Sequence, residues 1–170
     1  MNNKTKDPEY LRITGNILDN PDFLQMQNIK HHNSNRLDHS LKVSYYAYKI
    51  AKRLHLDYED VARAGLLHDF YLERTVDYSK FKDKVKLYTI GHPQDAIKNA
   101  SKYYQLSAKE KDIIATHMFP LDFRIPKYME SWVVNLVDSF VSTHEFSLKF
   151  GYKFSYVTNL YLILLFNSIK

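Results

Sequence analysis

The stretch LDHSLKVSYYAYKIAKRL, residues 37–54, decides the fold class of this chain. Its apolar positions recur at spacings of four, three and four, at Val43, Ala47, Ile50 and Leu54. That period is typical of an amphipathic helix with one buried face, so the sequence predicts a helix over about residues 36–55. His39 lies four residues before Val43 and therefore falls on the same inward face.

The segments around this helix carry helix signals as well. Asp7-Pro8 and Asn20-Pro21 each place a capping residue before a first-turn proline, and Ser107 is followed by Glu110 in the spacing of a capping box. The further long helices are predicted over residues 58–68, 93–104, 107–117, 127–145 and, after Gly151, 154–169. We therefore predict an all-α fold, a compact orthogonal or bundle-like array. Residues 1–35 form an N-terminal helical extension, 36–145 the principal domain, and 146–170 a C-terminal helix that packs on it.

Composition narrows the class of protein. With 170 residues, 45% of them hydrophobic and no cysteine, the chain suits one folded domain without disulfides, thiolate metal sites or a cysteine nucleophile. The formal net charge of +5 is spread along the chain, which suits a small anionic substrate as well as nucleic acid. Because the tyrosines fall largely at packing positions on helices, such as Tyr46, Tyr103 and Tyr104, we do not expect a nucleic-acid partner. The N-terminal residues lack the apolar core of a secretory signal. The longest uncharged run, 154–169, is shorter than the roughly 20 residues that a membrane-spanning helix needs. We expect a cytoplasmic protein without a membrane partner.

Six polar residues stand on the inward faces or at the ends of the predicted helices: His39, His68, Asp69, His92, His117 and Asp138. Taken singly, each can be a hydrogen-bonded core residue or a helix cap. A buried carboxylate, however, is costly unless it is paired or binds a cation, and no basic partner stands in the apolar runs around Asp69 or Asp138. Together the six point to one interior site. Imidazole and carboxylate without thiolate suit iron, manganese, zinc, cobalt or nickel.

The order of these residues resembles a known family. His39, then His68-Asp69, then Asp138 is similar to the H…HD…D signature of the HD superfamily of metal-dependent phosphohydrolases. The texts ARAGLLHDF and VVNLVDS resemble that family, and GHPQDAIKNA and DIIATHMFPL resemble a group of small bacterial HD proteins. The resemblance implies two divalent metals per chain. The first would be bound by His39, His68, Asp69 and Asp138, and the second by Asp69, His92 and His117.

The resemblance also implies a reaction. Two cations that share Asp69 would activate a water to attack phosphorus, so the expected activity is hydrolysis of a phosphate ester or anhydride of a nucleotide or other small metabolite. Arg36 and Lys42, one turn either side of His39, are candidates to steady the phosphate, although each can also lie on a solvated helix face. HDFYLER lacks the acidic pair of the alarmone hydrolases, which argues against that substrate.

Alternatives of other classes stay open at this point. Some HD proteins with six ligands are di-iron oxygenases, and a non-catalytic HD module that binds a ligand is a third hypothesis. The helix over 154–169 is expected either to seal the core or to join two copies in a homodimer. The residues that recognise the substrate beyond its phosphate are expected in the segments 71–91 and 118–127.

Overall fold

The computed structural model describes residues 7–31, 34–72 and 92–168. In this part of the chain the elements are α1 (Pro8–Leu18), α2 (Pro21–Leu24), a 3₁₀ helix (Gln25–Asn28), β1 (Lys30–His31), β2 (Ser34–Asn35), α3 (Arg36–Arg53), α4 (Tyr58–Leu67), α5 (His92–Tyr103), α6 (Ala108–Thr116) and α7 (Met129–Ser168). The two short strands pair antiparallel, with Lys30 opposite Asn35, and were not predicted. Apart from that pair the fold is all-α, as predicted.

The helix caps follow the sequence signals. The Asp7 carboxylate accepts hydrogen bonds from the N–H groups of Glu9 and Tyr10 at the start of α1. At the start of α6, Ser107 and Glu110 form a reciprocal capping box. These bonds satisfy amide donors that have no partner within their own helix, so both helices begin where the sequence predicts.

The last helix differs from the prediction. α7 is one helix of 40 residues, so the prediction of two helices separated at Gly151 is wrong. A glycine inside a helix costs only about 1 kcal/mol relative to alanine, and no proline interrupts residues 129–168, so the helical hydrogen bonds continue. The predicted boundary between residues 145 and 146 therefore lies inside α7. The predicted connection over 70–91 lies outside the described residues from residue 73 onward, as does the last predicted helical residue, 169.

Helix α3 organises the core by packing against both α4 and α7, while α4 also packs against α6. The closest approach of α3 and α4 is at Gly65, where an added Cβ atom would lie 2.8 Å from the Cα atom of Ser44. The buried apolar side chains of these four helices include Val43, Ala47, Val61, Leu66, Ile113, Ile114, Val134 and Val141. Because the helices share one core, the polar residues on their inward faces and at their ends converge.

An apolar surface lies on the opposite side of α7. Met129, Leu136 and Phe140 are largely exposed there, and Phe123 in the segment before α7 is 90% exposed. No helix in the described part of the chain combines the length and the apolar character needed to cross a membrane. The side chains of the predicted dimer contact, 154–169, are not among those described, and the homodimer stays a prediction.

Candidate metal centre

Five helices bring the six predicted ligands into one buried cluster. His39 lies in α3, His92 begins α5, and Asp138 lies in the N-terminal part of α7. His68 and Asp69 directly follow α4, and His117 directly follows α6. Each of the six is less than one tenth exposed, the set being His39, His68, Asp69, His92, His117 and Asp138.

Three of these residues form a first group around one oxygen of Asp138. Its Oδ1 atom lies 2.9 Å from His39 Nε2 and 3.8 Å from His68 Nε2. The His39 and His68 rings are 5.5 Å apart at their centroids. Two imidazole nitrogens therefore converge on a single carboxylate oxygen inside the core.

A second group forms around Asp69. Its Oδ1 atom lies 3.6 Å from His92 Nε2 and 3.8 Å from His117 Nε2. Its Oδ2 atom lies 3.9 Å from His68 Nε2 in the first group. The two oxygens of one carboxylate thus face different histidines, His68 on one side and the pair of His92 and His117 on the other.

The spacing of the ligand atoms is close to that of metal sites. Three triplets each place one ligand atom per residue within 4.8 Å of the others: His39, His68 and Asp69; His68, His117 and Asp138; Asp69, His92 and His117. Atoms bound to one cation at roughly 2.0–2.2 Å lie within about 4.4 Å of each other. A contraction of a few tenths of an ångström would therefore complete each triplet.

Backbone carbonyls fix the orientation of two histidines. His68 Nδ1 donates to the Gly65 carbonyl and His117 Nδ1 donates to the Ile114 carbonyl, each at 2.8 Å. Since these bonds place a proton on Nδ1, Nε2 is in each ring the nitrogen directed into the cluster and available to a cation. Both rings are therefore preset as metal ligands.

The charges around Asp138 are those of a tight ion pair. Burial alone would lower the pKa of His39, but its hydrogen bonds with Asp138 and Glu145 outweigh this and raise the pKa to about 10. Burial alone would raise the pKa of Asp138, but the hydrogen bond from His39 and the nearby His68 lower it to about 2. A cation that binds at His39 Nε2 must displace a proton, so metal affinity is expected to rise with pH.

In the second group the pKa of a histidine shifts the other way, towards the neutral ring. Burial and the neighbouring His68 lower the pKa of His117. Its Nε2 atom lies 3.0 Å from His92 Nε2. A neutral His117 leaves that nitrogen unprotonated and able to bind a cation.

These residues fit a divalent metal. Among the described residues, no hydrogen-bond partner for the buried His68 Nε2 atom is found, although two carboxylates lie within 4 Å of it. A buried nitrogen lone pair without a donor is costly, and a cation satisfies it together with the carboxylates. The donor atoms are imidazole nitrogens and carboxylate oxygens, a set that suits first-row transition metals of intermediate softness.

The two predicted phosphate-binding residues lie in different environments. Arg36 is buried, stacks 3.7 Å over the Tyr71 ring and donates from Nη1 to the Tyr71 carbonyl at 2.6 Å. The Tyr71 ring in turn lies 5.6 Å from that of His92, so Arg36 borders the cluster through Tyr71. Lys42 instead forms an ion pair with Glu145, with 2.6 Å between Nζ and Oε1.

Two residues of the site were not predicted from the sequence. Glu145 is buried, and its Oε2 atom lies 3.3 Å from His39 Nδ1. The signal for it is its position seven residues after Asp138, which places both carboxylates on one face of α7. Asn135 donates to the carbonyls of His117 and Phe119, which anchors the turn after α6.

Comparison with known proteins gives one match. A family model described as HD domain matches residues 36–141, more than half of the chain. The matched range contains all six residues of the cluster and begins at Arg36. No curated protein and no solved structure matches the chain.

Proposed function

Since the chain belongs to the HD domain family, which implies a metal-dependent hydrolase, we propose that it hydrolyses a phosphate ester or anhydride of a small cytoplasmic metabolite. The observation that carries the proposal is the position of Asp69, whose two oxygens face two sets of histidines. That placement suits a centre of two cations rather than one. Nucleotides belong to the proposed substrate class, since they carry phosphate esters and anhydrides and a negative charge that suits the net charge of +5.

The proposed centre assigns a role to each ligand. His39, His68, Asp69 and Asp138 would hold the first ion, and Asp69, His92 and His117 the second. Bound divalent ions supply a water of lowered pKa and neutralise the phosphate oxygens. The protein's own residues keep the nitrogen and carboxylate donors in place and exclude bulk water from them by burial.

Arg36 is the proposed phosphate-orienting group. It begins α3, one turn before His39, and its guanidinium stacks on the Tyr71 ring, which is itself next to His92. A guanidinium has five N–H donors, and the contact with the Tyr71 carbonyl uses only part of them. Its rigid fork suits a phosphate oxygen, and burial strengthens that attraction.

The test begins with metal content. We expect elemental analysis of untagged protein, purified without oxygen, to find about two ions per chain. His92→Ala should reduce this to about one, and Asp69→Ala should remove most of both because Asp69 serves both groups. The matched control is His144→Ala, since His144 is an exposed histidine on α7. It should bind as much metal as the wild type.

Activity then separates the classes of reaction. We expect the metal-loaded protein to release phosphate or a nucleotide from a panel of phosphomonoesters, phosphodiesters and dinucleotides, and Arg36→Met to raise KM. Two iron ions with oxygen uptake and no hydrolysis would identify an oxygenase instead. Full metal content with neither reaction would leave a ligand-binding module, and either result would refute the proposed hydrolysis.

A further inference from the structure

Glu145 is a buried carboxylate that the six-ligand centre does not use. It lies on α7, two turns after Asp138, and is only 3% exposed. Its two oxygens have different partners: Oε2 lies 3.3 Å from His39 Nδ1, and Oε1 lies 2.6 Å from Lys42 Nζ. A buried carboxylate needs such partners, and the contact with Nδ1 also limits the orientation of the His39 ring.

One helix therefore contacts both nitrogens of the same ring. Asp138 meets His39 at Nε2, the nitrogen assigned to the metal, and Glu145 meets it at Nδ1. Glu145 accepts a hydrogen bond from the Nδ1–H group, so the proton that a cation displaces is the one on Nε2. Since both carboxylates belong to α7, the ring cannot rotate without leaving one of them.

The partner of His39 differs in kind from those of two other ligands. His68 and His117 donate their Nδ1 protons to neutral carbonyls, those of Gly65 and Ile114. At equal length, a hydrogen bond to a carboxylate is roughly twice as strong as one between neutral groups, and here the carboxylate contact is the longer one, 3.3 Å against 2.8 Å. It also makes the imidazole a more basic ligand at its other nitrogen.

Lys42 completes this arrangement. It lies three residues after His39, so both side chains project from one face of α3. Its ammonium group balances the charge of Glu145 and holds Oε1, which leaves Oε2 directed at His39. The contact gives Lys42 a partner in Glu145, and its role at a phosphate stays a prediction.

We infer that Glu145 is a positioning residue that orients His39 for metal binding and makes the group containing His39 the tighter of the two metal subsites. The inference rests on the proposed binuclear centre and adds an order of loading to it. The ligand set of the first ion, His39, His68, Asp69 and Asp138, has two carboxylates, and a third carboxylate, Glu145, holds the His39 ring. Among the described residues, the second set, Asp69, His92 and His117, has only the shared Asp69 as a carboxylate.

The test uses cobalt(II) as the probe, because its absorption reports ligand geometry as well as binding. Full-length protein is freed of metal with a chelator and titrated with cobalt against a competing chelator. We expect two binding steps in the wild type. Glu145→Ala should weaken the tighter step by about 10- to 100-fold and change its spectrum, and leave the weaker step unchanged.

Two further variants separate positioning from stability and from charge. Glu145→Gln keeps the shape and an oxygen that can accept the Nδ1 proton, so it should retain a wild-type spectrum with a smaller loss of affinity. Asp122→Asn removes another buried carboxylate, one bonded to Arg124 rather than to an imidazole, and should leave the tighter step unchanged. Thermal melts of the metal-free variants report any loss of folding separately.

The outcomes are distinct from those of the proposed function. If the wild type binds no cobalt, the binuclear centre itself is wrong. If the wild type binds two ions and Glu145→Ala binds them equally well, or weakens both steps alike, the positioning role is wrong and the centre stands. If Glu145→Ala does not fold, Glu145→Gln decides: an unchanged tighter step overturns the inference.

Discussion

Replacing Gly65 with alanine tests whether the contact between α3 and α4 sets the metal centre as well as the core. An added methyl group would lie 2.8 Å from the Cα atom of Ser44 and 3.3 Å from its Cβ. The first of these atoms is backbone and cannot rotate away. The two helices must therefore separate, and the bonds of Ser44 Oγ with the Ala62 carbonyl and the Tyr10 hydroxyl, at 2.6 and 2.7 Å, must lengthen.

The size of the effect follows from these distances. Carbon atoms in contact prefer a separation of about 3.5 Å or more, so the helices must move apart by about 0.7 Å. Overpacking of this kind costs ~1–3 kcal/mol, and the higher helix propensity of alanine returns ~1 kcal/mol. We therefore expect a net loss of up to about 2 kcal/mol, or up to about 8 °C in Tm for a chain of this size.

The same displacement should reach the metal ligands. His39 belongs to α3, while His68 follows α4 and donates to the Gly65 carbonyl itself. Metal–ligand distances tolerate deviations of about 0.2 Å, which is less than the expected shift. Gly65→Ala should therefore weaken metal binding in addition to destabilising the fold.

The assay is urea and thermal unfolding of the metal-free protein, followed by metal titration. Gly15→Ala is the matched control, because an added Cβ on that helical glycine meets nothing within 4 Å. It should stabilise the fold by up to about 1 kcal/mol through helix propensity alone. If Gly65→Ala proves as stable as Gly15→Ala and binds metal like the wild type, the close approach does not constrain the site and the reasoning is refuted.

Two further predictions concern α7. Burial raises the pKa of Glu130, but its hydrogen bonds with Lys109 and the Asp57 N–H outweigh this and lower that pKa. The ionised Glu130 therefore stabilises the fold by about 1 kcal/mol at neutral pH. This stabilisation is lost as the pH falls through the pKa of Glu130 in the folded protein. The unfolding free energies of wild type and Glu130→Gln, measured from pH 7 to pH 3, should therefore converge at the acid end, and a constant difference would contradict the assignment. Asn135→Ala removes the amide that anchors the His117 carbonyl and should cost about 1–3 kcal/mol in urea unfolding. It should also lower the affinity of the weaker metal-binding step. If that step is unchanged, the turn after α6 holds His117 without this anchor.

Local signals accounted for most of the secondary structure. The capping residues Asp7, Asn20 and Ser107 lie at the helix starts that they predict, because a cap acts on amides only two or three residues away. The predicted break at Gly151 was wrong because the continuation of a helix depends on more than the residues next to the glycine. A helix continues past a glycine when ending the helix there would cost more free energy than the low helix propensity of glycine, and α7 continues.

The six ligands were predicted from residue type, inward placement and family resemblance, and the structure brings them together. Glu145 was missed because a glutamate on a long helix is usually a solvated residue. Its role depends on its distance from His39, on another helix. The pairing of Lys42 with Glu145 also crosses from α3 to α7 and has no local signal, while the role of Lys42 at a phosphate stays a prediction.

By itself, the sequence determined an all-α chain and the set of nitrogen and oxygen donors that it buries, because helical period and residue chemistry are local properties. Only the tertiary structure decided which atoms meet. It directs the two oxygens of Asp69 to different histidines and braces His39 with Glu145. Those contacts join residues from separate helices, and the packing of α3 against α4 and α7 is what sets their distances.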